Sequence, residues 1–106
     1  MGFLDSFERS VERLVGGAFA KAFSAGVHPV EIVAALKREM DSRATTASRT
    51  LTAAPHLYSC NLSTEDHSRL AQLGEPFVGE IAQALADYAV LRGYGLADRV
   101  SVTLAI

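Results

Sequence analysis

"RTLTAAPHLYSCNLS", residues 49–63, carries β character on both sides of a single proline. Pro55 has no N–H to give to a ladder, so Thr50 to Ala53 and Leu57 to Leu62 read as two short strands joined at Ala54-Pro55-His56. The reading makes them a hairpin. Successive side chains alternate along a strand, which puts Tyr58, Cys60 and Leu62 on one face and Ser59 and Asn61 on the other. The apolar set predicts the buried face.

Upstream, "SRATTASRT", residues 42–50, is hydroxyl-rich, lightly basic and without an apolar anchor before Leu51, which predicts a mobile connection. Before it, "AGVHPVEIVAALKREMD", residues 25–41, is punctuated as a helix joint. Gly26 supplies a left-handed stop, His28 is left as the cap, and Pro29 takes the first helical position, where a missing N–H costs nothing. Glu31 is placed to accept from orphan N–H groups and Val27 to staple onto Ile32. This helix buries Ile32, Val33, Leu36 and Met40 and ends near Arg43. At the start of the chain, apolar residues from Leu4 to Phe23 recur at steps of three and four, which predicts an amphipathic helix from about Asp5 to Ala25, roughly 30 Å long.

Downstream, Ser63 caps a helix with Glu65 and Asp66 in its first turn, where carboxylates complement the helix dipole. Gly74 ends it and Pro76 restarts another, whose buried face is Phe77, Ile81, Ala84, Leu85, Tyr88 and Leu91 and whose stop is Gly93. "RVSVTLAI", residues 99–106, then alternates as a strand, with Val100, Val102, Leu104 and Ile106 on one side. The alternation breaks off at Ile106, from which we expect the parent protein to continue.

The predicted class is α+β with order ααββααβ. Four helices cover a small three-stranded mixed sheet, made of the hairpin and a strand returned in parallel by a helical crossover of about 35 residues. Residues 1–106 form a single domain, since a chain of this length buries roughly two thirds of its unfolded surface without a disulfide or structural metal. The order resembles the type II KH arrangement. KH domains clamp RNA with a GXXG loop between paired helices; here that joint reads Gly74-Glu75-Pro76-Phe77, with an acid and no second glycine. Net charge is −2, so the overall field does not concentrate polyanions, and RNA binding stands as the alternative to a protein-interaction role.

Catalytic patterns are wanting. His28, His56 and His67 lie in separate turns or caps without metal-ligand spacing, and four residues of strand hold His56 and Cys60 about 13 Å apart, too far for a base to activate a thiol. No GxSxG, HExxH or P-loop pattern occurs. "RGYGL", residues 92–96, reads as a helix stop and turn. We expect no catalytic, cofactor-binding or metal residues and no cofactor. A single cysteine excludes an internal disulfide and suits a cytoplasmic setting, and the charge-broken start "MGFLDSFERSVERL" is neither a signal peptide nor a membrane span.

Several stretches together carry a family likeness: "FERSVERLVGGAFAKAF", the "HPVEI" joint, "KREMD", the Ala54-Pro55 turn with Tyr58, and "ADYAVLRGYGLADRVSVTLAI". On these the chain resembles the N-terminal domain of actinobacterial FHA-domain signalling proteins of the FhaA type. His56 departs from the asparagine more usual after that proline. The resemblance implies a non-catalytic domain followed, beyond a linker, by a C-terminal FHA domain that reads phosphothreonine. It also implies ties to Ser/Thr kinase control of cell-wall synthesis and cell division, with this domain a kinase substrate or docking partner.

The residues supply a handle for that role. Thr45, Thr46, Ser48 and Thr50 lie between Arg43 and Arg49, where a phosphate would add nearly two negative charges beside guanidinium groups. They are the candidate phosphoacceptors. The exposed Leu57 and a sheet edge at the last strand fit a monomer or a weak homodimer by strand addition.

Overall fold

The computed structural model describes Phe7, Arg9 and residues 26–106. The predicted first helix therefore lies outside the described residues, apart from Phe7, which is buried, and Arg9, which is exposed. From Gly26 onward the order is α1 (Pro29–Arg43), β1 (Thr45–Thr46), β2 (Thr52–Ala54), β3 (Leu57–Asn61), α2 (Thr64–Ala71), α3 (Gly74–Arg92), β4 (Tyr94–Leu96) and β5 (Ser101–Ala105). The class is α+β with a small mixed sheet, as expected. Among the described residues there are three helices rather than four.

Helix α1 begins as its punctuation predicts. Gly26 sits at φ +82°, Pro29 follows the cap, and the His28 ring accepts from the Val30 N–H at 3.2 Å while the Glu31 carboxylate accepts from the His28 N–H at 3.4 Å. Two orphan donors are thereby satisfied by side chains of the same turn. The helix buries Pro29, Ile32, Val33, Leu36 and Met40.

The last strand returns in parallel as predicted, but the predicted hairpin does not form among the described residues. β2 and β3 do not form a hairpin with each other: β2 pairs with β1 antiparallel and with β4 parallel, and β3 pairs with β5 parallel. The cause lies at Pro55-His56. A two-residue hairpin loop of type I′ or II′ needs positive φ, which Pro55 cannot adopt, and among the described residues only glycines have it. The chain instead runs on, and β2–β4 and β3–β5 become two stretches of one interrupted parallel pairing. Ala54 faces Leu96 and Leu57 faces Ser101, so two residues on one side are matched by four on the other. The Ser101 N–H restarts the ladder by donating to the His56 carbonyl at 2.8 Å.

Two short strands escaped the sequence reading. Residues 42–50 do not form a structureless connection: Thr45 and Thr46 make β1, and a tight turn follows in which Ala47 and Ser48 donate to the Leu51 carbonyl at 2.9 and 3.1 Å. "RGYGL" does hold the helix stop, with Gly93 at φ +75°, but Tyr94–Leu96 continue directly as β4. Strands of two and three residues are too short to show a period.

Helix α2 carries the predicted Ser63 cap, whose hydroxyl accepts from the Asp66 N–H at 3.1 Å. Helix α3 starts at Gly74, two residues before Pro76, which is harmless because the first-turn N–H groups have no helical partner anyway. The Gly74-Glu75-Pro76-Phe77 segment is thus the first turn of α3 rather than a loop, with Phe77 fully buried. Of the face assigned to α3, Phe77, Ile81, Ala84, Leu85 and Tyr88 are buried, whereas Leu91 is exposed and Ala89 takes its place.

All three helices lie over one face of the strands: α1 touches β2 and β3, α3 touches β4, β5 and α1, and α2 touches β5. Alternation settles which face. Tyr58 and Val102 are buried against the helices, while Leu57, Ser59, Asn61, Ser101 and Thr103 point to the uncovered side. Cys60, Leu62 and Leu104 pack half-buried at the rim of the core, and Ile106, past the end of β5, is exposed.

Candidate functional site

β1 pairs beside β2 alone, so among the described residues β3 has β5 on one side and no strand on the other. Between this open edge and the flank of α1 runs a groove of about 520 Å³. Leu36, Tyr58 and Cys60 form its floor, Ala35, Glu39 and Arg43 its helical wall, and Leu57, Ser59 and Asn61 its strand wall. Ala35, Glu39 and Arg43 follow one another at four-residue intervals and so form one ridge along α1.

The chemistry of the groove is neutral. Glu39 and Arg43 neutralise each other at 2.7 Å on an exposed surface. Tyr58 donates to the Pro55 carbonyl at 2.9 Å, and its pKa is pushed up to about 12 by burial first and by the Glu39 and Asp41 charges second. Burial likewise raises the Cys60 thiol. Both therefore stay protonated at neutral pH, and neither offers an anionic nucleophile. Such a surface can bind an extended segment through backbone hydrogen bonds and apolar contacts.

None of the candidate phosphoacceptors lines the groove, and Thr45 stands nearest to it in the chain, two positions past Arg43. Thr45 and Thr46 stand exposed on β1 and Ser48 and Thr50 in the turn after it, where the Ser48 hydroxyl accepts from the Thr50 N–H at 3.3 Å. The two arginines that flank them in sequence part company: Arg43 turns back to Glu39, and Arg49 is exposed in the turn. His28, His56 and His67 remain apart in a cap, a strand connection and α2, and among the described residues no three His, Cys, Asp or Glu side chains gather as a metal site.

A polar cluster at the far end of α1 was not foreseen. Asp41 accepts from the Tyr88 hydroxyl at 2.5 Å and from the Tyr94 hydroxyl at 2.6 Å, with Arg92 at 3.7 Å. The Lys37 ammonium lies 4.6 Å from the Tyr88 ring centre, and the Arg92 guanidinium 5.9 Å from that of Tyr94. The cluster pins α1 to α3 and β4 just ahead of the hydroxyl-rich turn. Its members are 47 and 53 residues apart in the chain, so no local pattern announces it.

Comparison with known proteins places this architecture. Residues 4–106 match the family described as "FhaA, N-terminal domain". The "FHA domain-containing protein FhaA" of Mycobacterium tuberculosis is 32% identical over 87 residues, which is 82% of this chain but only 16% of that protein. The chain therefore spans about a sixth of the length of this curated relative. The solved structure of Rv0020c_Nter superposes with a TM-score of 0.70 at 28% identity, covering 83% of this chain and 67% of that one. With nearly every residue matched by the family and the fold shared, the chain belongs to the FhaA N-terminal domain family.

Proposed function

We propose that the domain is a non-catalytic regulatory and protein-interaction module of an FHA-type scaffold. In this reading it acts in Ser/Thr kinase signalling that controls cell-wall synthesis and cell division, as a kinase substrate or docking partner. The observation that carries the reading is the joining of two features by one residue. Arg43, the groove's only lining cation among the described residues, stands two positions before Thr45, the first candidate phosphoacceptor. A phosphate on Thr45 or Thr46 competes with Glu39 for that guanidinium and changes the charge of the groove from neutral to acidic.

Three further facts support the reading: family membership, the neutral groups of the groove, and the exposure of all four hydroxyls on a short hairpin. Incubation of the chain with a Ser/Thr kinase of its own cell, followed by mass spectrometry, tests it. Phosphate on Thr45, Thr46, Ser48 or Thr50 is the expected result. Phosphate found solely outside residues 42–52 overturns the assignment of the site, and absence of any phosphate overturns the substrate role.

A further inference from the structure

In a parallel ladder the backbone groups of alternate residues point to opposite sides of the strand. On β3, His56 and Leu62 bond toward β5, through the His56 carbonyl to Ser101 and the Leu62 N–H to Ala105 at 2.8 and 2.7 Å. Tyr58 and Cys60 share their parity. The N–H and C=O groups of Leu57, Ser59 and Asn61 therefore point away from β5, into the groove, where no strand among the described residues meets them. Folded proteins ordinarily blunt such an edge with lysine, proline or a bulge. Residues Leu57–Asn61 contain no charge and no proline, and their register with β5 is unbroken.

We propose that this edge is completed by the β3 strand of a second copy of the chain, paired antiparallel about a two-fold axis at Ser59. The register follows from parity and from Pro55. Centring on Ser59 sets Leu57 opposite the partner's Asn61, Ser59 opposite itself and Asn61 opposite the partner's Leu57. All three pairs are then of the hydrogen-bonded kind, with about two bonds each. Centring on Leu57 would set Ser59 against Pro55, which has no N–H, and centring on Asn61 would carry the pairing past the end of the strand. A two-fold interface requires one patch to complement itself, and this one does.

Charge selects the same occupant. The helical wall presents Glu39 and Arg43 already paired, so it exerts no net attraction on a charged segment, and the neutral strand Leu57–Asn61 matches it. Each copy brings its own Glu39–Arg43 pair, so approach leaves no like charge unmatched. Pairing also keeps the helices of both copies on one face and joins their open faces into a continuous surface bearing Leu57, which is 67% exposed in the single chain. The proposal takes the groove to be a protein-contact surface. Its test below does not involve phosphate, so it can fail while the kinase reading stands, and the reverse.

Sedimentation equilibrium of the 106-residue chain should show a concentration-dependent monomer–dimer equilibrium. Ser59→Lys, which opposes two ammonium groups on the axis, should weaken it roughly tenfold or more, whereas Thr103→Lys, on the same open face of β5, should leave it within about twofold. Ser59→Cys in a Cys60→Ser background should cross-link to itself on mild oxidation, because facing Cα atoms lie about 5.5 Å apart. Thr103→Cys in the same background should not, since three strand spacings, roughly 14 Å, separate it from its mate. Thermal melts confirm that each variant is folded. A chain that stays monomeric to millimolar concentration, a Ser59→Lys variant that dimerises like the parent, or cross-linking at residue 103 but not 59 would overturn the proposal.

Discussion

The Tyr94 hydroxyl reaches across 53 residues of chain to donate to the Asp41 carboxylate at 2.6 Å, holding the first residue run of β4 against the last turn of α1. Tyr88 occupies the other carboxylate oxygen from α3. Charge-assisted hydrogen bonds are stronger than neutral ones, but the Asp41 side chain is 38% exposed, so solvent screening reduces their worth. Asp41→Ala should destabilise the domain by about 1–2 kcal/mol and Tyr94→Phe by about half that, read as midpoint shifts in urea. Unchanged midpoints for both would show the cluster to be decoration on a fold set elsewhere.

The same carboxylate makes stability depend on acid. The Tyr88 bond first, then the Tyr94 bond and the Arg92 and Lys37 charges, hold the Asp41 pKa below 3.8 against a smaller opposing effect of burial. At the other end of α1, partial burial acts to raise Asp66, but bonds from Arg69, the Val27 N–H and Ser63 outweigh it, so Asp66 too is lowered from 3.8. A carboxylate with a depressed folded pKa contributes stability that is complete above its unfolded pKa and is lost as pH falls through the folded one. Urea midpoints should therefore hold above about pH 5 and fall on acidification through pH 4 and below. Asp41→Asn should flatten that fall. A midpoint curve of Asp41→Asn that parallels the parent's would assign the acid sensitivity to other groups.

Alkali should act through the groove. Tyr58 ionises at about 12 in the folded chain against 10.0 ordinarily, so its contribution is complete below pH 10 and disappears as pH rises through 12. Tyr88 is raised as well, by its bond to Asp41 and then by burial. Absorbance titration at the phenolate band should show tyrosines ionising late, together with unfolding. Tyr58→Phe should remove one late-titrating group while sparing the bond-donating role of Tyr88. If the Tyr58→Phe variant loses no late-titrating group while the fold persists, the burial of Tyr58 is wrong.

What could be read from the chain tracks the range of the interaction that fixes it. The cap at His28, the stops at Gly26 and Gly93, the start at Ser63 and the buried stripes of α1 and α3 are decided within one or two turns, and local composition shows them. The strand Leu57–Asn61 was legible because five alternating residues suffice for a period. The parallel return of the last strand was legible from the length of the crossover, but the loss of β2 as the neighbour of β3 was not, since Pro55 signals a break without saying where the chain goes next. The groove follows from that loss and was invisible for the same reason. The hydroxyls at Thr45, Thr46, Ser48 and Thr50 were conspicuous by composition, yet β1 was hidden inside them because two threonines make a strand only against Thr52 and Ala53.

Two glycines with the same backbone hand should respond differently to substitution. Gly26 (φ +82°) and Gly93 (φ +75°) both lie in the left-handed region, where a Cβ strains the backbone by about 1 kcal/mol. Around Gly93 no atom lies within 4 Å of an added Cβ, so Gly93→Ala should cost little beyond that strain. At Gly26 the Cβ would overlap Asp66 Oδ1 and come within 2.6 Å of the Arg69 guanidinium. These are the groups that tie the 26–28 turn to α2: Asp66 pairs with Arg69 at 2.8 Å and accepts from the Val27 N–H at 3.4 Å, while Arg69 donates to the Val27 carbonyl at 3.1 Å. Gly26→Ala must push that triad apart as well as strain the turn, and should cost about 2–3 kcal/mol, at least twice the effect of Gly93→Ala. Thermal melts of the two variants compare them directly. Equal losses would mean that the Asp66–Arg69–Val27 tie yields without cost.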